Sequence, residues 1–350
     1  MESMREADLV VVTDTGSTDD TVERLRCFGA VVYEEEICPW RFDAARNRSL
    51  EHVPEDADIC VCTDLDERFL PGWREKLETA WQHSQMNCGL CAARTGRYLY
   101  NWSLKSDGSP NVQFYYFKVH SRNGFRWKCP VHEYIQYVGA EPLETVYIDG
   151  MILNHYPDPA KPRDAYLSLL ELAVEEDPED ERMLCYLGRE YLSRGEWRKS
   201  IDTLLAYLEL PAANWEEERG AAMRWIANAF FRLGEMKEAY LWYGKACRET
   251  PRVREPYVEF AALCCEQEDW PMVLYLAEEA LKIQERSKTF VNMSYAWDGT
   301  ADDLCAVAAY RMDLPERALE HAKRALAYQP DSERLQNNVA LLESTLSEAK

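Results

Sequence analysis

Along roughly the first 156 residues, apolar positions come in short β-branched runs; farther on they recur every three or four residues. Leu9-Val10-Val11-Val12 runs into the polar turn Thr13-Asp14-Thr15-Gly16-Ser17. That pattern predicts a strand and then a helix capped by Ser17 or Thr18, with Asp19-Asp20 in its first turn. Gly29-Ala30-Val31-Val32-Tyr33 predicts a second strand, and Ile59-Cys60-Val61-Cys62 a third that leads into Thr63-Asp64-Leu65-Asp66. Strand, helix, strand, helix, strand predicts a parallel, helix-covered sheet. Later candidate strands at about Gly89–Tyr100, Val112–His120 and Gly150–His155 have fewer helices between them, so the sheet is expected to turn mixed.

From Asp164 onward the period is helical and the sequence repeats. Gly195-Glu196-Trp197, Gly234-Glu235-Met236, Glu268-Asp269-Trp270 and Asp313-Leu314-Pro315 align as the gap before the second helix of a pair. Small or apolar residues follow at Ser200, Ala239, Val273 and Ala318, spaced 39, 34 and 45 residues apart. The middle spacing equals the tetratricopeptide period. In that unit Ile226, Ala227, Phe230, Gly234, Ala239, Tyr243, Ala246 and Pro251 fall where such a repeat needs large, small and helix-ending residues. The longer spacings require insertions, placed at Pro211–Trp215 and Arg286–Trp297. The residues after Asp331 are expected to form a capping helix, because a stacked array must end in a polar face. An ordinary helical bundle is the alternative. The division near residue 157 gives two domains, 1–156 and 157–350.

Charge narrows the partners. The chain of 350 residues carries 40 basic and 62 acidic side chains, a formal charge of −22. Up to Tyr156 there are 16 basic and 25 acidic residues, and after it 24 and 37, so neither half is basic. Such a surface repels phosphate backbones and anionic lipid, which argues against nucleic acid as a partner. No apolar stretch approaches the ~20 residues of a bilayer span. Most of the 12 cysteines stand singly in apolar runs, as reduced buried thiols do, which points to the cytoplasm. Cys88-Gly89-Leu90-Cys91 has no second pair at zinc spacing and reads as incidental. The glycosylation sequons at Asn47, Asn101 and Asn292 carry no meaning in that compartment.

Candidate chemistry gathers at strand ends. Asp64-Leu65-Asp66 closes an apolar strand, the edge at which open α/β sheets bind ligands. Two carboxylates flanking one residue on a bending strand can reach one ion, and hard oxygen ligands suit Mg²⁺ or Mn²⁺ bridged to phosphates. A solvated acidic turn is the plainer reading of the same residues. Asp14 also lies at a strand end, and neighbouring strand ends would bring both acid clusters to one rim.

Together these segments resemble the GT-A fold of family 2 glycosyltransferases, in the branch that carries tetratricopeptide repeats. Val11-Val12-Thr13-Asp14-Thr15-Gly16-Ser17-Thr18-Asp19 is similar to the family's nucleotide-side motif, and Thr63-Asp64-Leu65-Asp66-Glu67 to its metal-binding D-x-D. Phe42-Asp43-Ala44-Ala45-Arg46-Asn47 resembles the helix start after the third family strand. Gly124 through His132-Glu133 resembles a later element that opens on Gly and closes on H-E, and Leu153-Asn154-His155-Tyr156 an x-x-H-Y strand end. The resemblance covers nearly the whole chain. It implies a GT-A-like mixed sheet followed by an all-α tetratricopeptide solenoid.

Residue by residue, the resemblance implies that Asp14 contacts the nucleotide base or ribose. Arg46 and Asn47, with Asp43 nearby, would support the nucleotide-sugar pocket. Asp66 would bind the metal, and Asp64 the ribose or a metal-bound water. Glu133 would be the general base, with Asp66 or Glu67 as rivals. His155 would be a further metal or diphosphate contact, or else a core residue. His132 reads more readily as a structural histidine that orients its neighbouring acid than as a ligand. Tyr98, Tyr100 and Trp102 could stack on an acceptor, against the plainer reading of strand packing.

The family normally places a first strand and most of a helix before the D-T-G-S motif. Here thirteen residues precede Asp14, so the resemblance implies that about one strand and much of one helix are missing. Two functions are therefore expected in competition. One is a metal-dependent inverting transferase that moves a sugar from a nucleotide-sugar to a protein, peptide or glycan acceptor. The other is a weakened or non-catalytic relative whose repeats work as a binding scaffold.

Overall fold

The structure is a computed structural model that describes residues 1–87, 93–158 and 165–348. The Cys88–Cys91 pair, Gly89 and Asp164 therefore lie outside the described residues. The chain divides into two compact units, Met1–Asp177 and Pro178–Lys350.

In the first unit, β1 (Val11–Asp14) and β2 (Val31–Glu34) flank α1 (Thr21–Cys27) and pair in parallel. The helix begins later than the turn residues suggest. Asp14 takes the hydroxyl and N–H of Ser17 into its own turn, so Ser17 is not available as a cap, and Asp20 holds the N-cap position. After α2 (Phe42–Glu51) comes β3 (Ile59–Val61), which does not continue that pair. It runs antiparallel to β6 (Pro110–Ser121) instead. The expected run of three parallel strands is thus broken at its third member.

The main sheet has the order β3-β6-β5-β9-β4, where β4 is Glu67–Phe69, β5 Ala93–Leu104 and β9 Glu144–His155. Only β5 and β9 are parallel; the other pairings are antiparallel. The hairpin between β5 and β6 turns where Asp107 accepts the Ser109 N–H at 2.8 Å and Gly108 takes φ +81°. A short hairpin of β7 (Phe125–Lys128) and β8 (Tyr134–Tyr137) forms a third sheet.

α3 (Trp73–Asn87) covers the main sheet by burying Trp73, Leu77 and Trp81 against Tyr98, Val119, Met151 and Leu153. A second core joins Leu50 of α2, Cys60 of β3, and Trp127 and Ile135 of the small hairpin. That core fixes α2 beside β7. The last helix of this unit is α4 (Tyr166–Glu176).

The second unit is a solenoid of helix pairs: α5 (Glu181–Ser193) with α6 (Trp197–Glu209), and α7 (Glu216–Arg232) with α8 (Met236–Glu249). These are followed by α9 (Glu255–Glu266) with α10 (Trp270–Lys282), then α11 (Thr300–Arg311) with α12 (Pro315–Tyr328). The four aligned gaps adopt one conformation. Gly195, Gly234, Glu268 and Asp313 all have φ between +57° and +79°, the left-handed turn that stops the first helix. Ser200, Ala239, Val273 and Ala318, one turn into each second helix, are fully buried. The small side chain is needed there. Ser200 donates to the Gly188 carbonyl at 2.7 Å, and a Cβ on Gly188 would sit 2.5 Å from Leu204. α13 (Glu333–Glu348) closes the array, burying Leu335 and Leu342 on one face.

Candidate active site

The site grows from four pieces of backbone: the end of β1, the start of α2, the β3–β4 turn and the loop after β7. A cleft of about 1520 Å³ opens among the first three and β7, with Thr13, Arg46, Asp64, Asp66 and Trp127 in its wall; Glu133 stands outside that wall. Its floor is apolar, from Val10–Val12 on one side and Ile59–Val61 on the other.

Arg46, one turn into α2, is the hub. Its Nε donates to Glu133 Oε1 at 2.5 Å and its terminal nitrogen to Asp64 Oδ1 at 2.5 Å. The guanidinium also lies over the Trp127 ring, 4.8 Å from its centroid. Asp64 Oδ2 accepts from Lys118 Nζ at 3.0 Å. Burial alone would raise the Asp64 carboxyl, but Lys118 and Arg46 outweigh it and hold the group well below the ordinary carboxylate range. Lys118 is itself buried; burial works against its charge, and Tyr116 and Asp64 keep it above the ordinary amine range. Sequence reasoning missed Lys118. The available signal was a lone cation inside the aromatic strand Phe114-Tyr115-Tyr116-Phe117-Lys118.

Asp66 and His155 meet across the β4–β9 ladder, in which Glu67 is the register partner of His155. His155 Nε2 stands 3.4 Å from Asp66 Oδ2, while Nδ1 lies 3.1 Å from the Trp102 carbonyl. A carbonyl can only accept, so in the neutral ring Nδ1 carries the hydrogen and Nε2 presents its lone pair to a carboxylate oxygen. Two facing electron-pair donors call for a proton or a cation between them. The same tautomer, fixed through the far nitrogen, is what metal-binding histidines use. Among the described residues no three His, Cys, Asp or Glu side chains converge into a fuller cage.

Other candidates are committed elsewhere. Asp14 is buried at the end of β1 and accepts the Gly16 and Ser17 N–H groups at 3.1 and 2.9 Å. Burial opposes its charge, but those bonds and the Ser17 hydroxyl hold it below the ordinary range. Asn47 spends both ends of its amide on the Trp127 backbone, at 2.9 Å each. Asp43 pairs with Arg41 at 2.9 Å and accepts the Ala44 N–H, so it braces the start of α2. Glu67 is interior, accepting the Asp64 N–H at 2.9 Å with Lys118 at 3.6 Å. His132 takes a left-handed backbone, φ +51°, with its ring edge-on to Tyr166.

The aromatic trio needs correction. Tyr98 is 0% exposed and packs on Phe69 and Tyr116; Tyr100 is buried and stacks on Tyr116 at 4.8 Å. Both face inward, so neither can present a face to an acceptor, whereas the register irregularity between Asn101 and Ser103 frees Trp102 from that face. Trp102, nearly half exposed, is the member of the three that can.

Residues 2–137 match the family model described as glycosyl transferase family 2. Over this segment the chain is similar to family 2 glycosyl transferases. The match covers less than half of the chain and takes in Asp14, Arg46, Asp64, Asp66, Lys118 and Glu133; His155 lies beyond it. No curated protein matches the chain. Among solved structures, it is similar to a thermophilic TPR protein of Thermus thermophilus, at 18% identity and a TM-score of 0.36, over 51% of this chain and 89% of that one. MamA 41-end from Desulfovibrio magneticus RS-1 is similar at 14% identity and a TM-score of 0.38, over 48% and 85%. YrrB, a TPR protein with an unusual peptide-binding site, is similar at 17% and 0.35, over 48% and 78%. At that distance the helical unit's own turns and buried small residues define its architecture. No helix among the described residues is long and apolar enough to cross a membrane.

Proposed function

We propose that the chain is a metal-dependent, inverting glycosyltransferase that takes a sugar from a nucleotide-sugar, a UDP-sugar in the first instance. The acceptor is a protein, peptide or glycan, and the helical repeats help to hold it. The observation that carries this reading is the facing pair Asp66 Oδ2 and His155 Nε2, 3.4 Å apart at the turn that lines the cleft. One carboxylate and one imidazole suit Mg²⁺ or Mn²⁺, whose remaining positions are commonly filled by phosphate oxygens and water. Asp66 and His155 would hold the ion, which when bound neutralises charge on the departing diphosphate.

The chain's own residues do the rest. Arg46 takes Glu133 Oε1 and Asp64 together, so the base and the nucleotide side keep a fixed relation. Glu133 Oε2 takes the proton of the acceptor nucleophile as it attacks. A single base, with no second carboxylate as nucleophile, gives inversion at the anomeric carbon. Asp64, Asp14, Asp43 and Asn47 shape the donor side, the last three through the backbone they brace. Trp102 offers an aromatic face to an acceptor. The cytoplasm suits thiols such as Cys60, which burial pushes up to about 12.

A second reading, a weakened transferase with working repeats, draws support from how fully Asp14 and Asn47 are engaged by their own backbone. A thermal titration separates the two. UDP-sugars with Mn²⁺ should stabilise the protein by ~2.7 kcal/mol at 100 times the dissociation constant, and Asp66→Ala should erase the Mn²⁺-dependent part. No shift with any nucleotide-sugar, together with unaltered behaviour of Asp66→Ala, favours the scaffold.

A further inference from the structure

The helical unit carries an insertion that does not extend its helices. Between α10 and α11, residues 283–299 run back across α5, α7 and α9, the first helices of successive pairs. Phe290 sits 5.3 Å from Trp215 and 6.2 Å from Tyr186, ring centre to ring centre. Thr289 and Ser287 donate to Glu217 Oε2 at 2.6 and 3.2 Å. Tyr295 donates to Glu259, and Arg224 of α7 reaches that hydroxyl at 3.3 Å. The segment is deeply seated: Val291, Asn292 and Ala296 are buried.

Two features mark this segment as a lodger in a groove. First, much of its hold is through main chain. Met293 N–H donates to Glu255 at 2.6 Å, and Arg224 and Arg254 reach the carbonyls of Val291 and Ala296 at 3.5 Å. Any extended peptide offers those groups. Second, the fit leaves polar atoms unmet. Asn292 Nδ2 is buried without a hydrogen-bond partner, and Trp297 Nε1 meets the buried Glu255 carboxylate only outside standard geometry. Native interiors rarely leave polar atoms so poorly met.

We propose that Ser287–Trp297 is an intramolecular occupant of a peptide groove lined by α5, α7 and α9, and that the groove's partner is an extended polypeptide of like chemistry. That partner carries a hydroxyl residue directly before an aromatic one, as Thr289-Phe290 do, and a phenol about five residues later, as Tyr295 does. The hydroxyl meets Glu217, the aromatic ring fills the gap between Trp215 and Tyr186, and the phenol meets Glu259 and Arg224. Self-occupancy lowers the groove's apparent affinity by the fraction of molecules in which the segment has left. The proposal is independent of sugar transfer.

The probe is a fluorescein-labelled peptide of residues 285–298, followed by anisotropy against the full chain. One variant replaces residues 286–297 by a Gly-Ser linker of equal length; a second, Thr289→Ala with Phe290→Ala, only loosens the segment. Circular dichroism checks that each is folded. Both folded variants should bind the peptide at least about tenfold more tightly than the parent chain, and Glu217→Gln placed on the second variant should weaken that binding. Should the linker variant not fold, the loosened one decides alone. Equal binding by parent and variants, or no binding by a folded variant, overturns the proposal and leaves the segment a fixed part of the solenoid.

Discussion

Arg46 and Glu133, eighty-seven residues apart in sequence, are joined by an Nε–Oε1 hydrogen bond of 2.5 Å. The same guanidinium holds Asp64 of the D-x-D segment, so one α2 side chain ties the proposed base to the proposed donor side. Replacing Arg46 by Met keeps the apolar stem but leaves the largely buried Glu133 carboxylate without its cation and Asp64 with Lys118 alone. The variant should lose about 3 kcal/mol of stability, in the range for breaking a buried pair. Urea unfolding measures it; a change within error would reduce the bridge to a surface contact.

Glu133→Gln retains the shape and the capacity to accept from Arg46 while removing the ability to take a proton. Donor binding, read by thermal shift with Mn²⁺ and UDP-sugar, should persist, and transfer should fall by roughly 10²–10⁴-fold. Substantial residual transfer would take Glu133 out of the role and return it to structure alone.

His120 supplies a pH handle. It is fully buried on β6, and burial lowers its imidazole from 6.5 to about 4, although the Ser121 carbonyl at 2.7 Å opposes that shift. The folded value lies below the unfolded one, so the unfolded chain binds the proton more readily. The stabilisation is complete above pH 6.5 and drains away as pH falls toward 4, by up to about 3 kcal/mol. Urea midpoints between pH 7 and 4 should therefore slope, and His120→Gln should flatten the slope of the first unit. An unchanged slope rejects the assignment.

Two glycines in the repeats should answer alanine in opposite directions. A Cβ on Gly188 meets buried Leu204 at 2.5 Å, so Gly188→Ala should cost about 1–3 kcal/mol by overpacking. Gly244, within α8, has nothing within 4 Å, so Gly244→Ala should add about 0.5–1 kcal/mol. Equilibrium unfolding of the two variants compares the signs directly.

Where local chemistry suffices, sequence and structure agree. The strand cores of β1, β2, β3 and β6 lie where β-branched and aromatic runs placed them. The four repeat turns fall at the aligned gaps because a helix-stopping left-handed residue and a small residue five positions on are local demands. The acidic segment at residues 64–66 stood out because it closes an apolar strand.

Pairing is a different matter. Nothing in Ile59-Cys60-Val61-Cys62 says that its neighbour is β6 rather than β1, since a short apolar run pairs with whichever edge the rest of the chain presents. The inward turn of Tyr98 and Tyr100 followed from the face of β5 that α3 covers. Lys118 became part of the site only when β6 came to lie beside Asp64. By itself the sequence determined which residue types end each strand and where the repeats turn; the tertiary structure decided which carboxylates share a cation. Propensity and periodicity act over a few residues, whereas charge pairing is settled by side chains that the folded chain brings within about 4 Å.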